Sequence, residues 1–227
     1  LTTVDLAMAP RTQKTNRREW GKNLRQERII DIAQELFSSL GYESTTMDGV
    51  ARNAGYVKRT IYLYFRDKDD LFAAIVLRGL RRLNRMFQEA FDRCTGGLAR
   101  MEGMADAYFA FYREDPVTFD FVILFDYKNR YYHRQTDPAE DRPFVIECQR
   151  LGDLNADLAI EAIRQAVDEG AVRTTLTPLQ LLLVVWGELS GVMRMIATRE
   201  AHFEKVYGVT AETLFEGFKA HMQRSLT

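Results

Sequence analysis

Apolar residues recur at helical spacing from Ile29 onward. Ala33, Leu36, Phe37 and Leu40 follow at i+4, i+7, i+8 and i+11, which predicts one buried face of an amphipathic helix. Gly41 comes next and supplies a left-handed stop. Thr45-Thr46 then precede a second, shorter run of Met47, Val50, Ala51 and Ala54, with Thr46 as its N-cap and Gly55 closing it after about two turns. A third short helix is expected from Lys58, carrying Ile61, Tyr62, Tyr64 and Phe65. Asp67 caps a longer one that reaches to about Phe91. Acidic residues in its first turn, and Arg78, Arg81, Arg82 and Arg85 further along, suit the helix dipole.

Beyond the Cys94-Thr-Gly-Gly97 loop, helical patterns run over roughly 98–113, 117–128, 143–169, 178–198 and 211–224. Asp115-Pro116, Asp137-Pro138, Gly170 and Thr177-Pro178 punctuate them. No window alternates with the period of a strand, and no internal repeat is present. The expected fold is all-α with about nine helices: an N-terminal three-helix helix-turn-helix domain and a larger helical domain. The expected organisation is a mobile basic arm over 1–22, the small domain over 23–70 and the remainder over 71–227. The most apolar stretch, Leu179 to Ile196, is broken by Glu188 and Arg194, and reads as a buried helix instead of a membrane span.

Charge changes this picture. The 227 residues carry 31 Lys+Arg and 32 Asp+Glu, a formal net of −1 that argues against a general polyanion binder. Split at Arg66, the sum becomes +4 for the front and −5 for the rest, so the basic end is the one suited to an anionic partner. Two cysteines and three scattered histidines offer no disulfide framework and no metal-ligand spacing, so neither metal nor cofactor is expected. No defensible Ser-His-Asp set, P-loop or G-x-G-x-x-G is found, and Asp137, Glu140 and Asp141 read as a solvated loop; the chain is not expected to be an enzyme. Residues 1–22 lack the apolar run of a secretory signal, which points to the cytoplasm.

Three short helices with a glycine between the second and third describe a helix-turn-helix. The last helix of that motif enters the DNA major groove N-terminus first. Here that end is Lys58-Arg59-Thr60, whose side chains can read base edges. Tyr62 and Tyr64 stand about 200° apart around a helix, so one can face DNA while the other packs. Lys68 is placed for a phosphate. The arm residues Lys14, Arg17, Arg18 and Lys22 read either as a phosphate-tracking or minor-groove arm or as a solubilising tail. Arg78 to Arg85 read as a solvated face.

The stretch from Arg28 to Phe72 resembles the DNA-binding domain of the TetR family of repressors. The resemblance rests on Thr46, Val50-Ala51, Ala54-Gly55, Thr60-Ile61-Tyr62-Leu63-Tyr64-Phe65 and Lys68-Asp69-Asp70-Leu71. It implies that Lys58, Arg59, Thr60 and Tyr62 face the major groove, that Thr46, Tyr64 and Lys68 hold phosphates, and that Ile61 and Phe65 are core. Three features depart from the pattern or weaken it. Val57 stands where a capping residue is usual, at a cost of ~1 kcal/mol. Leu63 replaces a polar or aromatic residue, and Gly49 weakens the second helix by ~1 kcal/mol relative to Ala.

Residues 101–135 hold ten of the chain's 26 aromatics, enough to line a pocket for a small apolar or aromatic ligand or simply to fill a bulky core. The resemblance implies an effector site between the middle helices, for which Phe109, Tyr112, Phe125, Tyr127, Trp186 and Met193 are the expected lining. Leu179 to Ile196 is apolar on nearly all sides, so either it is central or a partner covers it. The resemblance implies a homodimer built on 178–198 and 211–224, with Leu183, Gly187, Ser190, Gly191, Leu214 and Phe218 at the interface. Such a dimer would present its reading helices about 34–36 Å apart to a pseudo-palindromic operator. The expected function is a repressor released from that operator by a small ligand. The alternative is a DNA-binding regulator or architectural protein controlled by a protein partner, without an effector.

Overall fold

The computed structural model describes residues 11–135 and 142–226; these form nine α-helices and no strand. The chain divides into two compact units, Leu1–Ile75 and Val76–Thr227. The acidic loop residues Asp137, Glu140 and Asp141 lie outside the described residues.

The first unit contains α1 (Arg11–Leu40), α2 (Met47–Ala54), α3 (Lys58–Tyr62) and the start of α4 (Lys68–Arg93). Ile29, Ile30, Ala33 and Phe37 form the buried stripe of α1, while Leu40 stays exposed. In α2 the buried residues are Met47, Val50, Ala51 and Ala54, each from the predicted run. Ile61 and Phe65 close the core from the α3 side. Gly55, at φ 74°, makes the turn between α2 and α3 that a side chain would strain. The helix α1 starts well before the expected boundary, so Arg11 to Lys22 is helix and not arm. Its Arg, Gln, Lys and Glu residues are good helix formers, and no proline interrupts them. The absence of an apolar stripe had hidden this.

The second unit holds the rest of α4 with α5 (Gly97–Glu114), α6 (Pro116–Gln135), α7 (Pro143–Asp168), α8 (Pro178–Tyr207) and α9 (Ala211–Leu226). The helix α5 is central. Its first residue, Gly97, meets α7 so closely that a Cβ there would lie 2.0 Å from the Ala166 amide nitrogen. Its last turns meet α8 through Tyr112 Oη, which donates to Glu200 Oε2 at 2.8 Å. On α9, Phe215 stacks on Phe109 with ring centroids 4.3 Å apart. A capping box joining Thr177 and Gln180 starts α8, and Gly208 ends it, beyond the limit near 198 that apolar content alone suggests.

The helix α8 is only partly buried. Leu181, Leu189, Met193 and Ile196 face inward, while Leu179, Leu183, Val184 and Trp186 keep large exposed areas. By length and composition α8 could cross a bilayer, although 22% of its most apolar window is packed inside the protein. Of the two alternatives for this stretch, a central helix does not hold in the single chain: one face is core and the other is uncovered.

Candidate functional site

The two ends of the chain carry separate candidates. In the first unit, α3 projects Lys58, Arg59 and Tyr62 into solvent, with Thr60 half-buried. No side chain caps this helix; Val57 occupies the N-cap position in extended conformation. The Thr60 amide donates to the Val57 carbonyl at 2.8 Å, and no side chain takes the amides of Lys58 and Arg59 ahead of it. Lys58 Nζ lies 2.7 Å from Asp48 Oδ1 of α2, and this carboxylate raises the lysine's pKa. The ammonium also stands 6.0 Å from the Tyr62 ring centre.

The two tyrosines take different roles. Tyr62 is exposed beside the basic residues, whereas Tyr64 is half-buried and its hydroxyl accepts from Arg25 Nε at 3.2 Å. Thr46 is the N-cap of α2, its Oγ1 accepting from the Gly49 amide at 3.1 Å. A Cβ on Gly49 would approach that oxygen to 3.3 Å, so the glycine leaves room for the cap. Lys68, expected on a phosphate, donates to the Tyr42 and Glu43 carbonyls at 2.9 and 3.3 Å and sits 4.3 Å from the Tyr42 ring centre. In the unbound chain it ties down the loop between α1 and α2. Asp48 and Arg25, which tether Lys58 and Tyr64, were not among the predicted residues. Asp48 is on α2 and its partner on α3, and Arg25 is on α1 while Tyr64 is in the turn after α3, both beyond the reach of local spacing.

The second unit encloses a cavity of about 450 Å³. Its apolar wall comes from Leu80, Leu83 and Phe87 of α4, Met104 of α5, Phe125 of α6 and Leu189 of α8. Phe125 and Trp186 line it, and Tyr108, which was not predicted, joins them. Phe109, Tyr112, Tyr127 and Met193 do not line it. Phe109 and Tyr112 turn to α9 and α8 through the ring stack and the hydrogen bond above, Met193 is wholly buried, and Tyr127 is exposed. Periodicity could not assign these faces because α5 is contacted by neighbours on several sides.

Polar groups are few in the cavity. Tyr108 is almost wholly buried, and desolvation, with Asp126 nearby, raises the pKa of its phenol. Asp126 also lines the cavity, and loss of water around its carboxyl pushes its pKa up to about 6. Cys148 is buried, and burial pushes its thiol up to about 12, which disfavours the thiolate.

The expected interface residues do not share one face. Leu183 is 61% exposed and Gly187 and Gly191 have open space at the Cβ position, all three on the outer side of α8. Ser190 is half-buried and its hydroxyl meets no partner. On α9, Leu214 is half-buried, but Phe218 is buried in its own chain and lines the cavity, because α9 turns Phe215, Phe218 and Met222 inward together.

Comparison with known proteins adds to this geometry. Residues 29–75 match the family described as bacterial regulatory proteins, tetR family. The chain is similar to YhgD of Bacillus subtilis, an uncharacterized HTH-type transcriptional regulator, at 37% identity over 68 residues, 30% of this chain and 36% of that one. It is also similar to IcaR of Staphylococcus aureus, a negative transcriptional regulator of the biofilm operon icaADBC, at 27% identity over 166 residues, covering 72% and 80%. Several curated relatives, YhgD among them, are matched over less than half their own length. Among solved structures, AibR in complex with isovaleryl coenzyme A and operator DNA superposes with a TM-score of 0.63 at 18% identity, covering 87% of this chain and 97% of that one. At that identity the likeness is one of fold.

Proposed function

Because the chain belongs to the tetR family of bacterial regulatory proteins, we propose that it is a cytoplasmic transcriptional repressor. In this reading it holds a pseudo-palindromic operator as a homodimer and leaves it when a small, largely apolar ligand fills the cavity. The observation that carries the DNA-binding part is α3 itself: an uncapped helix start with Lys58, Arg59 and Tyr62 exposed together, held by the Gly55 turn against α2. Arginine and lysine there suit guanine edges, and the open amides suit a phosphate. Thr46, Thr60, Tyr64 and Lys68 complete the proposed contact set, with Lys68 exchanging a backbone carbonyl for a phosphate oxygen.

The uncovered face of α8 supports pairing of two chains. Leu179, Leu183 and Val184 are each about half exposed or more, and isologous packing would bury them against their counterparts. AibR, with an acyl coenzyme A and operator DNA in one crystal, supports a fold that serves both partners. The ligand acts only through unequal affinity for the DNA-competent and DNA-released states.

The test begins by selecting duplexes from a random pool with the full chain. Selected sites should contain inverted half-sites, and their affinity should fall with a log–log salt slope near −0.9 per phosphate contact. Enrichment of no sequence, or a flat salt response, would overturn the proposal.

A further inference from the structure

The charge of the cavity wall separates classes of ligand. Among the described lining residues there are two carboxylates, Asp126 of α6 and Asp153 of α7, and no lysine, arginine or histidine. A ligand with a carboxylate or phosphate would enter without a partner and beside two like charges. Such a group costs several kcal/mol to desolvate when unpaired. Asp126 and Asp153 are both open to solvent where they line the cavity, and the Asp126 carboxyl meets no hydrogen-bond donor or cation among the described residues. The Tyr108 hydroxyl likewise has no hydrogen-bond partner among the described residues.

The aromatic wall has the same preference. Phe87, Tyr108, Phe125 and Trp186 all line the cavity, with Tyr108 and Trp186 ring centres 5.1 Å apart. Ring faces attract ammonium and guanidinium groups, most strongly away from water. Among the described residues, two cations act on the lining from outside it, Arg81 on Cys148 and Arg194 on Tyr108, both from exposed positions.

We propose that the cavity selects apolar ligands bearing a positive charge, an amine or quaternary ammonium on a hydrocarbon or aromatic body, with Asp126 as the counter-ion and the aromatic wall around it. Asp153 is the second carboxylate of the site. This rests on the ligand-binding part of the function proposed above. It adds what that part left open, the sign of the ligand's charge.

Three probes of equal chain length test this: decyltrimethylammonium, decanoate and 1-decanol, titrated calorimetrically into the full chain. The expected result is that the cation binds at least about tenfold more tightly than the anion. Asp126→Asn should bring that ratio toward one, with Asp126→Asn/Asp153→Asn removing what remains. Thermal melts establish that both variants are folded. Decanoate binding as tightly as the cation, or a ratio unmoved in the double variant, overturns the charge selection while leaving the cavity a ligand site. Failure of all three probes to bind overturns both. Cation binding that depends on Asp126 but leaves operator affinity unchanged supports the charge selection and refutes the effector role.

Discussion

Lys58, the first residue of α3, is held by Asp48 of α2 at 2.7 Å, so one of the cations proposed to contact DNA is already partnered. Operator binding must either break that pair or bring a phosphate close to Asp48. Both cost affinity, and both lie with a single carboxylate.

Asp48→Asn should therefore strengthen operator binding. Exposed pairs are weak, so the expected gain is a factor of about two to five at low salt, shrinking as salt rises. Gel-shift titration at two salt concentrations measures it. Weaker binding by the variant would mean that Asp48 positions Lys58 for its contact.

Lys68 and Tyr62 should separate stability from DNA affinity. Lys68→Ala removes two hydrogen bonds to loop carbonyls and a cation over the Tyr42 ring, a loss of about 1 kcal/mol that lowers Tm by roughly 2–4 °C. Tyr62→Ala, on an exposed position, should leave Tm where it is and weaken operator binding. Thermal melts paired with gel shifts check both. Equal Tm losses in the two variants would remove the distinction.

The carboxyl of Asp126 makes stability depend on pH in a defined direction. Its pKa in the folded chain stands near 6, above the ordinary 3.8, so the folded state binds that proton more tightly. The contribution favours folding below about pH 4 and is lost as pH rises through 6. Asp126→Asn should thus melt higher than the parent at pH 8, with the gain disappearing at pH 3.5. A Tm difference independent of pH would contradict the shift.

Gly187 and Gly191 bear on pairing. Within one chain a Cβ at either position meets nothing, so Ala at both should raise helix stability by about 1 kcal/mol per site. Where a second α8 packs closely on them, the same methyl groups hold the two backbones apart. The Gly187→Ala/Gly191→Ala chain should show a dimer dissociation constant raised about tenfold in analytical ultracentrifugation. An unchanged constant would move the interface elsewhere.

Much of the first unit was legible because its determinants are local. Met47, Val50, Ala51 and Ala54 lie within two turns, their cap precedes them directly, and the glycine that ends them follows at once. Asp48 with Lys58, and Lys68 with the Tyr42 carbonyl, join segments ten to twenty-six residues apart, and nothing in either segment alone reports the pairing. In the second unit the helices could be read from proline and glycine punctuation, but their orientation could not. Phe109, Tyr112 and Phe218 are aromatic in a domain where nearly every helix face meets another helix. Which face looks on the cavity depends on how the neighbours stack. The start of α1 was missed for the opposite reason: a polar helix has propensity but no stripe.

Trp186 lines the cavity and is also 37% exposed on the uncovered side of α8. A molecule that touches it from within alters the surface a second chain would cover from without. Occupancy and self-association then share one thermodynamic cycle. Whatever factor the ligand imposes on the dimerisation constant, dilution must impose on the affinity for ligand. With Trp20 replaced by Phe, a single indole would report both equilibria, and its titration midpoint would shift with protein concentration.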